Sequence, residues 1–222
     1  MKLFLATDAL DDVRWSAERA LIDGVVLPDA ALRHAESSDA ALNWLSEFVR
    51  AASMPVFVPF DAMAMDDVVL SAEQLGRVAE HVVVQVPFSE AYVPLLQRLA
   101  LSGVRTAATF IGSTAQAMLA ARVGAAYVFV DVDRLDAAGA SGARVIDESR
   151  RLFDVLGSET HLVAVFPASG APVVACALAG ADAAVVGSAT LRAMLAYPFT
   201  DQSLPEGARQ PTHGERLRVT PS

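Results

Sequence analysis

Residues 82–87 read Val-Val-Val-Gln-Val-Pro, an apolar run with one polar side chain, Gln85, near its carboxyl end. Such a run, closed by proline, is the pattern of a strand buried on both faces in a parallel sheet. A primary amide there costs free energy unless it is bonded. Gln85 therefore reads either as a group that meets a ligand or as a core glutamine satisfied by neighbouring backbone. Carboxylates form the second set with chemical potential. Asp29, Asp61 and Asp131 close apolar runs, and Asp8 lies just past another. Alternation along the sixth run puts Tyr127, Phe129, Asp131 and Asp133 on one face. Carboxylates gathered in a partly desolvated cleft raise one another's pKa, which suits general acid–base work near neutrality. Two or three together can instead bind a hard divalent cation such as magnesium. Taken singly, they can simply cap the helices that follow and face water.

Other reactive side chains are sparse. Lys2 is the only lysine in the chain. His81 and His161 precede apolar runs, so neither a histidine-ligated metal nor a serine–histidine–aspartate arrangement is suggested. Ser188, in Val185-Val186-Gly187-Ser188, precedes a helix pattern; it can help hold an anion on free amides or serve as an ordinary cap. No cofactor is called for, with a divalent metal on the acidic residues as the alternative.

The elements that must position these groups alternate from end to end. Short apolar runs at 2–6, 24–27, 55–60, 82–86, 105–111, 126–132, 161–166 and 183–187 predict strands. Amphipathic stretches near 9–20, 37–51, 68–80, 89–101, 113–122, 142–156, 170–179 and 188–196 predict helices. Ser71-Ala72-Glu73-Gln74 and Ser113-Thr114-Ala115-Gln116 match the reciprocal capping box. Gly103, Gly124, Gly157 and Gly180 follow helical runs as left-handed terminators. Eight strand–helix units in 222 residues predict an α/β fold, a closed (β/α)8 TIM barrel. A doubly wound sheet would carry a glycine-rich phosphate loop after its first strand, and residues 6–12 hold no glycine. The barrel is expected over residues 1–200 as one domain. Residues 201–222, with Pro205, Gly207, Pro211, Gly214 and Pro221, are expected to be an extended tail.

Composition agrees with a single core: 54% of residues are hydrophobic and 19% charged. A net charge of −9 without a basic run argues against nucleic acid as partner, and no apolar stretch is long enough for a membrane span. The amino terminus does not read as a secretory signal. Cys176, the sole cysteine, reads as a packed side chain. A cytoplasmic protein with a small-molecule substrate is expected.

Taken together these segments resemble the small transaldolase subfamily that includes fructose-6-phosphate aldolase. The matching stretches are Met1–Leu5, Val83–Pro87, Gly124–Val128, Val132-Asp133-Arg134-Leu135-Asp136-Ala137-Ala138-Gly139-Ala140-Ser141-Gly142, Ala179–Asp182 and Ala196-Tyr197-Pro198. The resemblance spans roughly residues 1–200. It implies a (β/α)8 barrel, carbon–carbon bond chemistry through a lysine imine, a place in carbohydrate or specialised metabolism, and a homo-oligomer. The positions that carry this chemistry differ. The family's imine lysine falls on Gln85, its strand-one acid on Ala6, and the asparagine of its Thr-Thr-Asn-Pro motif on Pro28. Its strand-three glutamine falls on Pro59, its strand-six tyrosine on Asp131, and a phosphate-contacting serine on Phe166. Thr109, which helps position a catalytic water in the family, and Arg134, which contacts phosphate, match it. The resemblance also implies that the face carrying Asp131 looks inward, with Lys2 about 13 Å below the reacting end.

The expectation is a transaldolase-like barrel with a retooled site. It would act on a small carbonyl or sugar-phosphate-like compound by aldol, enolisation or dehydration chemistry without an imine. Asp131 would be the acid–base group, with Gln85 and Thr109 bonding the carbonyl oxygen; Arg134, Asp61, Asp29, Asp133 and Ser188 would bind substrate. The alternative is a catalytically inactive relative serving as a binding or partner protein, its mouth filled by Phe60, Phe129 and Phe166.

Overall fold

The structure, a computed structural model, describes residues 1–32, 37–60, 68–166 and 171–203. Eight strands close in chain order into one parallel barrel: β1 (Lys2–Ala6), β2 (Gly24–Val26), β3 (Val56–Pro59), β4 (Val82–Pro87), β5 (Thr106–Ile111), β6 (Tyr127–Asp131), β7 (His161–Phe166) and β8 (Ala183–Gly187), with β8 returning to pair with β1. The intervening helices are α1 (Leu10–Ala17), α2 (Ser38–Ala52), α3 (Val68–Gly76), α4 (Val93–Leu101), α5 (Thr114–Arg122), α6 (Val132–Ala137), α7 (Gly142–Leu156), α8 (Ala171–Leu178) and α9 (Ser188–Leu195), followed by α10 (Pro198–Ser203). None of the described helices is long and apolar enough to cross a membrane.

Valine-rich strands form because both faces are buried. In β4, Val82, Val83, Val84 and Val86 are all inaccessible, alternately against the helices and the barrel interior. Phe4, Phe57, Tyr127 and Phe129 fill that interior, with Phe57 centred 4.9 Å from Phe4, 4.9 Å from Tyr127 and 5.2 Å from Phe129. Helices turn one stripe to the sheet. Val145, Ile146, Ser149 and Phe153 are the buried face of α7, and Gly157 ends that helix at φ 62°, a left-handed position that glycine adopts without penalty.

All eight predicted strands and eight predicted helices are present, with two added helices, α6 and α10, and several local corrections. The sixth strand, predicted to reach residue 132, stops at Asp131, whose carboxylate accepts the amide of Arg134 at 3.3 Å and so opens α6. The predicted tail begins with residues 201–203 inside α10, where Pro198 at the first position suits a helix start; the rest of the tail lies outside the described residues. Ser71 is not a cap: α3 starts at Val68, and the Ser71 hydroxyl donates to the Phe60 carbonyl at 3.4 Å. Ser113 does cap α5, accepting from the Gln116 amide at 3.3 Å, but the Gln116 side chain reciprocates to the Gly112 amide instead of Ser113.

The last strand–helix unit is fastened to the first through Asp12 of α1. Its carboxylate pairs with Arg192 of α9 at 3.1 Å, and the Arg192 guanidinium lies 3.8 Å from the centre of the Trp15 ring. A hydrogen bond from Ser188, then the charge and hydrogen bond of Arg192, hold Asp12 below its ordinary value of 3.8, against the opposing effect of burial. A lowered folded-state pKa means stability that is present at neutral pH and lost as pH falls through that value. Asp12→Asn should therefore cost about 0.5–1 kcal/mol at pH 7. The difference from the parent should shrink as pH drops below 3.8, as followed by urea denaturation across pH.

Candidate active site

Parallel closure gathers the carboxyl ends of the strands at one rim. Register aligns Pro59 with Gln85, Pro87 with Thr109, Asp131 with Val165, and Ala6 with Gly187. A cavity of about 170 Å³ opens there, lined by Val26, Asp29, Pro59, Phe60, Gln85, Pro87, Thr109, Phe110, Phe129, Asp131, Val165 and Val185.

Gln85 points inward as predicted, and its bonding corrects the role expected of it. The side-chain nitrogen donates to the Leu27 carbonyl at 3.2 Å and to the Phe57 carbonyl at 3.1 Å. Two carbonyl partners fix which end of the amide is nitrogen. No donor is left for a substrate carbonyl; Gln85 offers its own oxygen, which has no partner among the described residues. The Phe57 carbonyl also accepts the Leu27 amide at 2.9 Å. Gln85 thus clamps the ends of β2 and β3, whose own register holds only two aligned pairs.

Thr109 is 9% exposed, lines the cavity, and has no hydrogen-bond partner for its hydroxyl among the described residues. The Asp131 side chain, 19% exposed, pairs with the Arg134 guanidinium at 3.4 Å while capping α6. Arg134 itself is 75% exposed, stays out of the cavity lining, and lays its guanidinium 5.4 Å from the centre of the Phe110 ring. Asp29 stands at the lip as an exposed carboxylate.

The remaining expected residues fall elsewhere. Asp133 is in the first turn of α6, because the helix that Asp131 opens ends strand alternation; it does not line the cavity. The Ser188 side chain helps lower the pKa of Asp12 and is likewise absent from the lining. Asp61 lies outside the described residues, as does the side chain of Phe166. Asp8 is exposed and not in the wall, so among the described residues two acidic side chains reach the cavity and no group of three His, Cys, Asp or Glu converges on a metal position. Lys2 sits at the opposite end, beside a second cavity of about 240 Å³ shared with Phe4, Tyr127 and His161.

Phe110 is the site residue that the sequence concealed. The β5–β6 register slips between Ala108 and Ile111, and Phe110 takes φ 61°, an uncommon left-handed conformation for a bulky residue. The bulge turns its ring, 48% exposed, into the cavity wall. Nothing in Thr106-Ala107-Ala108-Thr109-Phe110-Ile111 marks the slip, since the run reads as an uninterrupted strand. Backbone strain of this kind clusters at functional sites.

These features define the class: a parallel (β/α)8 barrel with a small cavity at its carboxyl mouth, lined mainly by apolar side chains and by Asp29, Gln85, Thr109 and Asp131, where barrels of this kind keep their chemistry. The transaldolase/fructose-6-phosphate aldolase family profile matches residues 31–219, and the chain belongs to that family. It is 29% identical over 205 residues to a probable transaldolase of Lactiplantibacillus plantarum, across 92% of this chain and 93% of that protein. It is 30% identical over 204 residues to a probable transaldolase of Symbiobacterium thermophilum, across 92% and 94%. A probable transaldolase of Thermoplasma volcanium matches at 27% over 205 residues, across 92% of each chain.

Two substitutions test the geometry. Gln85→Glu sets carboxylate oxygens against two carbonyls and should cost about 1–3 kcal/mol by denaturant titration; Gln85→Lys, which keeps donors there, should cost less. At the bulge, Phe110→Gly and Phe110→Ala both delete the ring, but only glycine relieves the left-handed backbone. The glycine variant should be the more stable of the two by about 1–2 kcal/mol.

Proposed function

We propose that the mouth cavity is a retooled transaldolase-family active site. It acts on a small carbonyl or sugar-phosphate-like compound by aldol, enolisation or dehydration chemistry that proceeds without a lysine imine. The observation that carries this reading is Asp131: a carboxylate held by Arg134 in the wall of an open cavity, which it shares with a Thr109 hydroxyl and a Gln85 oxygen that have no partner among the described residues. An imine needs an amine in contact with the carbonyl, and the chain's one lysine is at the barrel floor.

In this reading Asp131 removes a proton from the carbon next to the substrate carbonyl and returns one after bond rearrangement. The Thr109 hydroxyl donates to the carbonyl oxygen as negative charge develops there, a contribution that is large in a water-poor site. Gln85 accepts from a substrate hydroxyl. Arg134 keeps the Asp131 carboxylate oriented, and Val26, Phe129, Val165 and Val185 limit water. The second reading, a family member that binds without reacting, draws on Phe60 and Phe129 in the wall, which narrow the cavity without closing it.

One experiment separates the two. Incubated in D₂O with dihydroxyacetone or hydroxyacetone, the protein should accelerate exchange of the protons next to the carbonyl, seen by proton NMR. Asp131→Asn should lower that rate by about 10²–10⁴-fold while leaving the fold intact, because asparagine also caps helices. Borohydride added to the same mixtures should leave the protein mass unchanged. Absence of exchange favours the binding reading, and a reduced adduct within the barrel refutes the imine-free mechanism.

A further inference from the structure

We propose that the floor of the barrel carries a second site, which binds a small oxyanion, a carboxylate or a phosphate, at the amino ends of β6, β7, β8 and β1. The proposal goes beyond the mouth and does not depend on the reaction assigned there.

Four consecutive strands build the place. Register sets Lys2 beside Ala183, Ala183 beside Val163, and Tyr127 beside His161. The floor cavity of about 240 Å³ opens among them, with Lys2, Tyr127, His161 and Asp182 as its polar lining over the Phe4 ring. Residues 123–126, 157–160 and 179–182, which lead into three of these strands, are all described.

Hydrogen-bond donors are what this cavity offers. Tyr127 is 5% exposed, and its hydroxyl accepts from the Arg105 guanidinium at 2.5 Å. A phenol donates as well as accepts, and this one has no acceptor for its proton among the described residues. The Lys2 ammonium has neither an ion pair nor a hydrogen bond among them. His161 adds ring nitrogens, its ring centre 5.1 Å from that of Tyr127. A buried donor is satisfied by a ligand or by water, and one acceptor-rich group can serve several of these donors at once.

Charge gives the sign. The cavity's carboxylate is already engaged: Asp182 accepts the Leu162 amide at 2.7 Å and pairs with Arg150 at 3.4 Å. Asp23, beyond the lining, accepts the Leu3 amide at 2.8 Å. The Arg105 guanidinium, besides its bond to the phenol, lies 5.3 Å from the centre of the Tyr127 ring, so a fixed positive charge stands beside the free Tyr127 proton. An anion therefore meets Lys2, the phenol proton and the charge of Arg105, whereas a cation meets Lys2 and a carboxylate with two partners of its own. The net charge of −9 repels anions at a distance. Screening confines that repulsion to about 8 Å at physiological salt, and the groups in contact decide.

The test titrates the isotopically labelled full chain with inorganic phosphate and with malonate at pH 7 and constant ionic strength, following backbone amides by NMR. Saturable shifts should centre on Tyr127, Leu162 and Ala183, and the anion that saturates them at lower concentration names the class, phosphate or carboxylate. Lys2→Met removes the charge from an exposed side chain and leaves strand pairing to the backbone; it should weaken binding at least about tenfold. Tyr127→Phe keeps the ring and removes the hydroxyl, and should weaken binding about three- to tenfold. Should Tyr127→Phe loosen the barrel, Lys2→Met alone decides. No saturable shift at the floor with either anion, shifts confined to Gln85, Thr109 and Asp131 at the mouth, or an affinity that survives Lys2→Met would each overturn the proposal.

Discussion

A parallel sheet has no tight turns of its own. Each strand must be reached by a crossover on the outside, and only closure removes the two exposed edges. The pairing of β8 with β1 meets that constraint here, and the rest follows from it. Because all eight strands run the same way, their carboxyl ends meet at one rim, and residues far apart in sequence become neighbours: Pro59 beside Gln85, Pro87 beside Thr109, Asp131 beside Val165. The joint between β2 and β3 has the shortest register, and there the Gln85 side chain adds two hydrogen bonds to what the backbone supplies. The polar group that drew attention in the sequence is therefore a fastening of the barrel and a wall of its cavity at once.

The other wall behaves as a unit of three residues from two consecutive strand ends. Asp131 ends β6 by capping α6, the capped turn brings Arg134 back onto the same carboxylate, and Arg134 covers the ring that the β5 bulge has lifted at Phe110. A change at any of the three alters the surroundings of the other two, so effects of substitution there are expected to be non-additive. The family's barrel is retained around this group of three. The acid–base role proposed for Asp131 depends on this small assembly and not on a single exchanged residue.

The barrel was readable in the sequence because its signals are local and repeated. Runs such as Val82–Val86 can satisfy only a doubly buried strand, and Gly157 ends α7 wherever that helix packs. Gln85 and Asp131 stand out in the same local way, as polar residues interrupting or closing apolar runs, while the inward face of Asp131 is implied by the family resemblance; both line the cavity. What remained hidden depended on direction and register. That Gln85 presents its oxygen, not its hydrogens, is decided by the carbonyls of Leu27, just past β2, and Phe57 of β3. That Asp133 turns away follows from the cap made by Asp131, since a one-residue change from strand to helix replaces a period of two by one of 3.6. The left-handed Phe110 arises from pairing between β5 and β6, to which no residue of its own run testifies.

The aromatic stack inside the barrel also governs traffic. Tyr127 borders the floor cavity, Phe129 borders the mouth, and Phe57 touches both rings, so the interior between the two cavities is solid. Among the described residues, then, packed rings stand between whatever enters the mouth and the lone lysine at the other end, and the two hollows are separate compartments of one barrel.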